Sequence, residues 1–147
     1  MFFCPSNARN RNIVNNGYLV GNGLLLTEKD VICCPFPLFH SSGLVVGLMA
    51  CLAHGSCIVF PSATFDASTV LRCIAPENCT GIVGAPTMLA LVLKMKQSLD
   101  ASSQSSIRLR TGLIGGSSCP DSLWGEIREE FGFENLINAY GTCICSI

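Results

Sequence analysis

Residues Leu109 to Ser118 read LRTGLIGGSS, a short apolar run that ends in two glycines and two serines. An apolar run of this length, bounded by turn residues, is typical of a strand that is buried on both faces of a sheet. Gly115 and Gly116 end the strand, and Pro120 then opens a helix because its fixed φ suits a first helical position. The stretch therefore predicts a strand, a glycine turn and a helix in succession.

The same succession of strand, turn and helix recurs along the whole chain. The polar, serine-rich stretch from 97 to 106 predicts a surface loop. Asp66 and Ser42 are candidate N-caps, and Pro86 suits the first position of a helix. The expected strands are Val31–Cys34, Cys57–Phe60, Gly81–Val83, Leu109–Ile114 and Leu136–Ala139, and the expected helices are Asn12–Leu26, Ser42–Ala53, Asp66–Ile74, Thr87–Leu99 and one that begins at Pro120.

This alternation predicts an α/β fold in which helices cover both faces of a parallel sheet. In sheets of this kind, ligands bind beyond the carboxyl ends of the strands. We therefore expect the functional residues to follow the strands directly. No internal repeat, heptad pattern or domain linker interrupts the alternation.

The composition is unusual in its low content of charged residues. The chain has 147 residues, which suffices for one domain with a buried core. Hydrophobic residues make up 49% and charged residues 13%, against about 25% charged residues in an ordinary soluble domain. This deficit indicates either contact with a membrane or a core whose covering layers lie outside the chain. The net charge of −1, with both signs interspersed, excludes the basic surface of a nucleic-acid-binding protein.

The uncharged run from Val31 to Phe65 is the candidate membrane segment, but its sequence argues against a membrane span. Prolines and histidines interrupt the run, and its longest apolar stretch, Gly43–Ala53, has 11 residues. About 20 residues are needed to cross a bilayer. Met1 to Pro5 lack the positive start and the apolar length of a signal peptide. A small membrane-associated protein stays open as an alternative, since the charge deficit permits it.

The ten cysteines predict reduced thiols rather than disulfides or a zinc site. No Cys-x-x-Cys pair occurs, and neither Cys33-Cys34 nor Cys143-Ile144-Cys145 has the spacing of a zinc finger. Most of the cysteines lie inside apolar runs, where a free cysteine behaves as a small buried hydrophobic residue. We therefore expect no metal ligand among them, and a reducing intracellular compartment, with cytoplasm, mitochondrion and peroxisome not distinguished.

Three segments carry the functional signal, and each follows a predicted strand. They are Pro37–Gly43 (PLFHSSG), Ile114–Ser118 (IGGSS) and Asn138–Thr142 (NAYGT). A tyrosine at a strand end offers a flat face to adenine, and neighbouring glycines let a flat ligand approach the backbone. Taken alone, a Gly-Gly pair after a strand is more often a plain turn, and a lone histidine in an apolar run is more often a core residue.

In this order and at this spacing, the three segments resemble the core of the acyl-activating, adenylate-forming enzymes, the AMP-binding acyl-CoA synthetase family. The resemblance runs from Arg11 to Thr142 and implies part of the large N-terminal domain of such an enzyme. It implies a positioning role, not nucleophilic catalysis, for His40. The implied nucleotide-binding residues are Gly115, Gly116, Ser117, Asn138, Ala139, Tyr140, Gly141 and Thr142, and the implied acyl-pocket residues are His40, Gly84, Pro86 and Thr87.

The resemblance fails at both ends of the chain. In the family, Thr142 is followed by Thr-Glu, and this Glu holds magnesium, whereas the present chain has Cys143 and Ile144. Isoleucine cannot ligate a hard cation that demands oxygen. The phosphate loop that ends in Pro-Lys-Gly is absent before Arg11, and the C-terminal lid domain is absent after the third segment. We therefore expect an atypical segment 1–10, a partial AMP-binding domain 11–142 and an atypical tail 143–147.

The resemblance implies a fragment of an AMP-forming ligase that joins a carboxylic or fatty acid to coenzyme A, with ATP as co-substrate and magnesium as cofactor. Positioning and charge neutralisation dominate phosphoryl transfer. Because the phosphate loop is missing, we expect little or no activity from this polypeptide alone. Two alternatives stay open: a truncated, non-catalytic protein that keeps weak nucleotide affinity, and the membrane-associated protein considered above. No nucleic-acid partner is expected.

Overall fold

A computed structural model of the chain describes residues 10–100, 104 and 107–141 and shows an α/β fold. The strands are β1 (Val31–Cys33), β2 (Cys57–Val59), β3 (Gly81–Gly84), β4 (Thr111–Gly115) and β5 (Asn135–Ala139), and the helices are α1 (Asn10–Gly23), a π-helix (Ser42–Met49), α2 (Ala50–His54), α3 (Ala67–Ile74), α4 (Pro86–Gln97) and α5 (Asp121–Phe131). Within the described residues, the strands form one sheet in the order β2-β1-β3-β4-β5, and all neighbours are parallel. The predicted parallel α/β sheet is therefore confirmed.

Helices cover both faces of this sheet, as the sequence predicts. α1, the π-helix and α2 lie on one face, while α3, α4 and α5 lie on the other. Neighbouring residues of a strand point to opposite faces. Cys33 therefore belongs to the core beneath α3, α4 and α5, and Cys34 belongs to the core beneath α1 and α2. Full burial of one large apolar side chain, such as Phe131 in the first core, contributes about 1.5–3 kcal/mol.

Two of the predicted helix starts are confirmed in detail. Asp66 is the N-cap of α3, and its Oδ2 accepts a hydrogen bond from the Thr69 N–H at 2.7 Å. Pro86 opens α4, where the missing N–H of proline leaves no helical hydrogen bond unmade. Local sequence chemistry alone determines both positions.

Several predicted boundaries are wrong by one to three residues, and two of these differences have a local cause. The first helix was expected to reach Leu26 but ends at Gly23, because Leu25 adopts a φ of 54° in the left-handed region. β4 begins later than the predicted Leu109. The Leu109 N–H donates to the carbonyl oxygen of Phe131 at the end of α5, so it does not take part in strand pairing.

The second helix differs most from its prediction, because its first eight residues form a π-helix. Ser42 was expected to cap it, but no side-chain cap forms. Instead His40 satisfies the first turn: its Nδ1 accepts from the Ser42 N–H at 3.1 Å, and its carbonyl oxygen accepts from Gly43 and Leu44. A Cβ added at Gly43 would overlap the carbonyl oxygen of Pro37, so this close approach of backbone requires glycine. π-helical turns are rare and are frequent at functional sites.

A polar anchor joins three segments near the amino ends of the strands. Asp30, which is 3% exposed, pairs with Arg110, with Nη2 to Oδ2 at 2.8 Å and Nε to Oδ1 at 3.1 Å. The Thr80 hydroxyl donates to Oδ1 at 2.8 Å, and the Thr27 N–H donates to Oδ2 at 2.8 Å. Burial alone would raise the pKa of Asp30, but the hydrogen bonds from Arg110, Thr80 and Thr27 together lower it below its ordinary 3.8. The anchor therefore holds a buried carboxylate in its charged form.

Two global features of the described residues complete the fold. None of their helices combines the length and the apolar character that a membrane span requires. The seven cysteines among them, Cys33, Cys34, Cys51, Cys57, Cys73, Cys79 and Cys119, are all free thiols.

The anchor yields a prediction about stability and its pH dependence. Asp30→Asn should lower the free energy of unfolding at pH 7 by about 2 kcal/mol, because a buried group loses charge-assisted hydrogen bonds. Since the folded-state pKa lies below the unfolded one, this stabilisation is complete above pH 3.8 and is lost as the pH falls through the folded-state pKa. Urea unfolding of wild type and variant at pH 7 and pH 3 measures both effects.

Asp121→Asn, in the exposed first turn of α5, is the matched control and should change stability by less than about 0.5 kcal/mol. An Asp30→Asn variant as stable as this control would contradict the anchor.

The π-helix yields a second prediction, built on a pair of glycines. Gly43→Ala should destabilise the chain, because its methyl group meets the Pro37 backbone, which cannot rotate away. Overlap with backbone typically costs about 1–3 kcal/mol. Gly125→Ala is the matched control: its Cβ meets nothing within 4 Å, and alanine in a helix interior is favoured by about 0.5–1 kcal/mol. Thermal unfolding followed by circular dichroism should therefore shift in opposite directions for the two variants, and a shift in the same direction would contradict this account.

Candidate nucleotide site

A cavity of about 250 Å3 opens at the carboxyl ends of β1, β4 and β5. This is the edge at which parallel α/β sheets bind their ligands. Segments that are far apart in the sequence meet here because they follow neighbouring strands or pack over them. The lining residues are Asn16, Phe36, His40, Ser41, Ser42, Val45, Val46, Leu113, Gly115, Gly116, Ala139, Tyr140 and Gly141.

The glycine segment after β4 forms one wall of the cavity. β4 and β5 pair in register, with Gly115 opposite Ala139. A Cβ at Gly115 would lie 2.9 Å from the Ala139 carbonyl oxygen, so this pairing requires glycine. Gly116 has a φ of +90°, a conformation that favours glycine, and nothing lies within 4 Å of where its Cβ would be. The backbone at Gly116 is therefore open to a ligand.

The tyrosine segment after β5 lies directly beside this wall. Tyr140 is 93% exposed, and Gly141 follows it along the cavity. So large an exposed fraction is unusual for an aromatic side chain next to a cavity, because burial of a ring is normally favourable. The ring is available to stack on a flat ligand that reaches the Gly116 backbone.

His40 contributes a polar group from the loop that follows β1. Its ring is exposed and stacks on Phe36, with 5.9 Å between the ring centroids. Because Nδ1 accepts the Ser42 N–H, the neutral ring carries its proton on Nε2. The free ring nitrogen of His40 is therefore a hydrogen-bond donor.

The remaining wall of the cavity is mainly apolar. Phe36, Val45, Val46 and Leu113 supply this surface, from the loop after β1, from the π-helix and from β4. Sequence reasoning missed these residues, because an apolar residue that lines a cavity looks like a core residue in the sequence. Sequence reasoning also missed Asn16, a residue of α1 that is 5% exposed. The one sequence signal for Asn16 was its polar side chain within a predicted helix.

The structure brings together some of the predicted site residues and leaves others apart. His40, Gly115, Gly116, Ala139, Tyr140 and Gly141 line the cavity. Gly84 and Pro86 are buried near the end of β3, Gly84 beneath the Leu89 side chain, while Thr87, Ser117 and Asn138 are exposed; none of these five lines the cavity. Thr142, Cys143 and Ile144 lie outside the described residues.

The donor set of the cavity does not fit a magnesium ion. Mg2+ requires oxygen ligands, usually one or two carboxylates. The lining residues include no aspartate or glutamate, and no cluster of three metal-ligating side chains occurs within the described ranges. Among the residues that the structure describes, no lysine or arginine lines the cavity either. It suits the uncharged part of a ligand, a flat ring or an apolar chain.

The chain is similar in sequence and in fold to proteins of known function. The chain is 41% identical over 132 residues to the acyl-CoA ligase SID4 of Ajellomyces capsulatus, covering 88% of this chain and 22% of that protein. It superposes with a TM-score of 0.72 and 30% identity on the anthranilate CoA ligase AuaEII in complex with anthranoyl-AMP, covering 90% of this chain and 25% of that one. A malonyl-CoA ligase with methylmalonyl-CoA and AMP bound shares the fold, with a TM-score of 0.74 at 22% identity, covering 90% of this chain and 28% of that one.

The match to a family extends over nearly the whole chain. The sequence model of the AMP-binding enzymes matches residues 8–144. The individual relatives are longer proteins, and this chain spans only about a fifth to a quarter of their length. The chain therefore belongs to the AMP-binding enzyme family.

Proposed function

We propose that this chain forms the nucleoside and acyl walls of the site in an AMP-forming acid–CoA ligase. The observation that carries the proposal is the exposed Tyr140 ring beside the open backbone at Gly116, in one cavity with His40. Relatives of this chain are acyl-CoA ligases, and a structural neighbour holds anthranoyl-AMP, which is an acyl-adenylate. Both observations support the proposal.

The adenine ring would stack on Tyr140. Base–aromatic stacking contributes about 1–3 kcal/mol and needs no charged partner. The absence of a side chain at Gly116 lets the second face or edge of the base approach the backbone. In this proposal, Asn138, Ala139, Gly141 and Thr142 continue the tyrosine segment, and Ser117 continues the glycine segment.

The acyl group would occupy the apolar part of the cavity, between the π-helix and Leu113. A volume of about 250 Å3 suits a small or medium-sized acid. The Nε2–H of His40 would donate to an oxygen at the carboxyl end of that acid, which orients it without covalent catalysis. Gly84, Pro86 and Thr87, which follow β3, would act from outside this cavity.

The reaction of the complete enzyme would proceed in two steps. The carboxylate attacks the α-phosphorus of ATP, the bond to pyrophosphate breaks, and an acyl-adenylate forms. The thiol of coenzyme A then attacks the acyl carbon, and AMP leaves. The described lining residues carry no charge, so they cannot supply the positive groups that neutralise the phosphates in either step. The charged groups would therefore come from parts of the ligase outside this cavity, in a reducing compartment that suits the free thiols.

One alternative is favoured by a specific observation. A cavity with a stacking ring and no charged residue can bind a nucleoside without catalysing phosphoryl transfer. The polypeptide of 147 residues would then be a weak nucleotide-binding module. The two candidates share the AMP site. They differ in whether this site belongs to a complete ligase that turns over its substrates.

Tyr140→Ala should weaken AMP binding about 5- to 150-fold, because a lost stacking energy of about 1–3 kcal/mol corresponds to that range. Tyr140→Phe should keep most of the affinity, since it keeps the ring. Tyr18→Ala is the matched control: it removes the other tyrosine of the chain, which is also exposed but does not line the cavity. Titration by NMR or calorimetry measures the three affinities, and equal affinity of the wild type and Tyr140→Ala would remove Tyr140 from the site.

The same polypeptide should not release pyrophosphate from ATP with any fatty or aromatic acid. The described lining residues supply none of the charged groups that phosphoryl transfer requires, and Ile144 stands where the resemblance implies a magnesium-binding acid. A coupled pyrophosphate assay with a panel of acids, read beside the AMP titration, tests this. Turnover above the no-protein control would refute inactivity, whereas AMP binding without turnover is the result expected for both candidates.

A further inference from the structure

Three thiols gather in the core beneath α3, α4 and α5, away from the cavity. Cys33 belongs to β1, Cys73 belongs to α3, and Cys79 lies between α3 and β3. The Sγ atoms of Cys33 and Cys73 are 3.7 Å apart, and Cys79 belongs to the same core cluster. Cys33 is fully buried, while Cys73 is half-buried. The cluster therefore has one thiol that solvent can reach and one buried partner in contact with it.

The chemistry of this cluster differs from that of the other buried cysteines. Burial raises the pKa of Cys34 to about 11 and raises that of Cys51, so both stay protonated and unreactive. At Cys73, interaction with the Cys33 thiol 3.7 Å away and with the Cys79 thiol lowers the pKa. At Cys33, the same interaction, the contact with Cys79 and burial raise the pKa. The accessible thiol is thus the one that ionises.

We propose that Cys33 and Cys73 form a disulfide when the protein meets a hydroperoxide. The Cys73 sulfur attacks the terminal peroxide oxygen, the O–O bond breaks, and an alcohol or water leaves, so that Cys73 becomes a sulfenic acid. The Cys33 sulfur then attacks the Cys73 sulfur, the S–O bond breaks, and water leaves. In sum, two thiols lose two hydrogens, and the hydroperoxide is reduced by two electrons.

The geometry permits this bond with a small movement. The two sulfurs must approach from 3.7 Å to about 2.05 Å, the length of a disulfide. The half-buried position of Cys73 on a helix at the edge of the core makes such a shift possible. The bond would join β1 to α3 across 40 residues of chain, and a loop of that length constrains the unfolded state. Oxidation should therefore raise the melting temperature, and a reductant should reverse the rise.

The test uses the whole polypeptide treated with a small excess of hydrogen peroxide, then alkylated, digested with trypsin without reductant and examined by mass spectrometry. A cross-link between peptides 30–72 and 73–94, two hydrogens lighter than their sum, is expected. It should be absent in Cys33→Ala and Cys73→Ala. It should persist in Cys34→Ala, the matched control. Cys34 is adjacent to Cys33 in the sequence, but its side chain lies in the core on the other face of the sheet.

A second measurement covers the case in which a core variant fails to fold. Fragment ions of the wild-type cross-link show whether the bonded cysteine of peptide 30–72 lies at Cys33-Cys34 or at Cys51 or Cys57. Oxidation of the protein unfolded in guanidinium should abolish the selective pairing. A bond between Cys73 and Cys79 would overturn the proposed partner. Oxidation of the exposed Cys57 with no cross-link at Cys73 would overturn the site altogether.

Discussion

β4 and β5 pair in register along their full lengths, and the position of the whole cavity follows from this pairing. At the carboxyl ends of the two strands, Gly115 lies close to Ala139. Any side chain at Gly115 would collide with the Ala139 backbone. The strands therefore end together, and their following residues, Gly116 and Tyr140, emerge side by side. A slip of one residue in the pairing would turn the side chains of β5 to the other face of the sheet. The close glycine contact thus determines both the register and the site.

The opposite end of the sheet is held by electrostatics rather than by packing. Asp30 precedes β1, Thr80 precedes β3 and Arg110 precedes β4, so one carboxylate connects the amino ends of three strands. The Arg110 side chain also donates to the Leu25 carbonyl oxygen at 3.0 Å, which ties in the turn after α1. A rigid amino edge leaves the carboxyl edge free to carry exposed groups such as Tyr140. The division matches the general arrangement of α/β proteins, in which one edge serves stability and the other binds ligands.

The sequence predicts the parts of this structure that depend on local chemistry. Apolar runs predicted the strands, and Asp66 and Pro86 predicted two helix starts, because their effects act within one turn of helix. The π-helix could not be predicted, because it depends on the contact of Gly43 with Pro37 and on the His40 side chain. Asn16 was missed for a similar reason. It reaches the cavity because Gly17, its neighbour, lets α1 approach Met49 so closely that an added Cβ would lie 2.6 Å away.

His40 shows how structure restricts chemistry at this site. Its Nδ1 is committed to the first turn of the π-helix, so a proton taken up there would break the hydrogen bond from Ser42. Only Nε2 is free, and in the neutral ring that nitrogen donates a hydrogen bond and cannot accept a proton. A general base must accept a proton, so the hydrogen bond from Ser42 to Nδ1 excludes that role for neutral His40. The residue can orient an acceptor, such as a carboxylate oxygen, and at the same time hold the π-helix against the cavity. The same side chain thus completes the first turn of the π-helix and presents an N–H at the cavity.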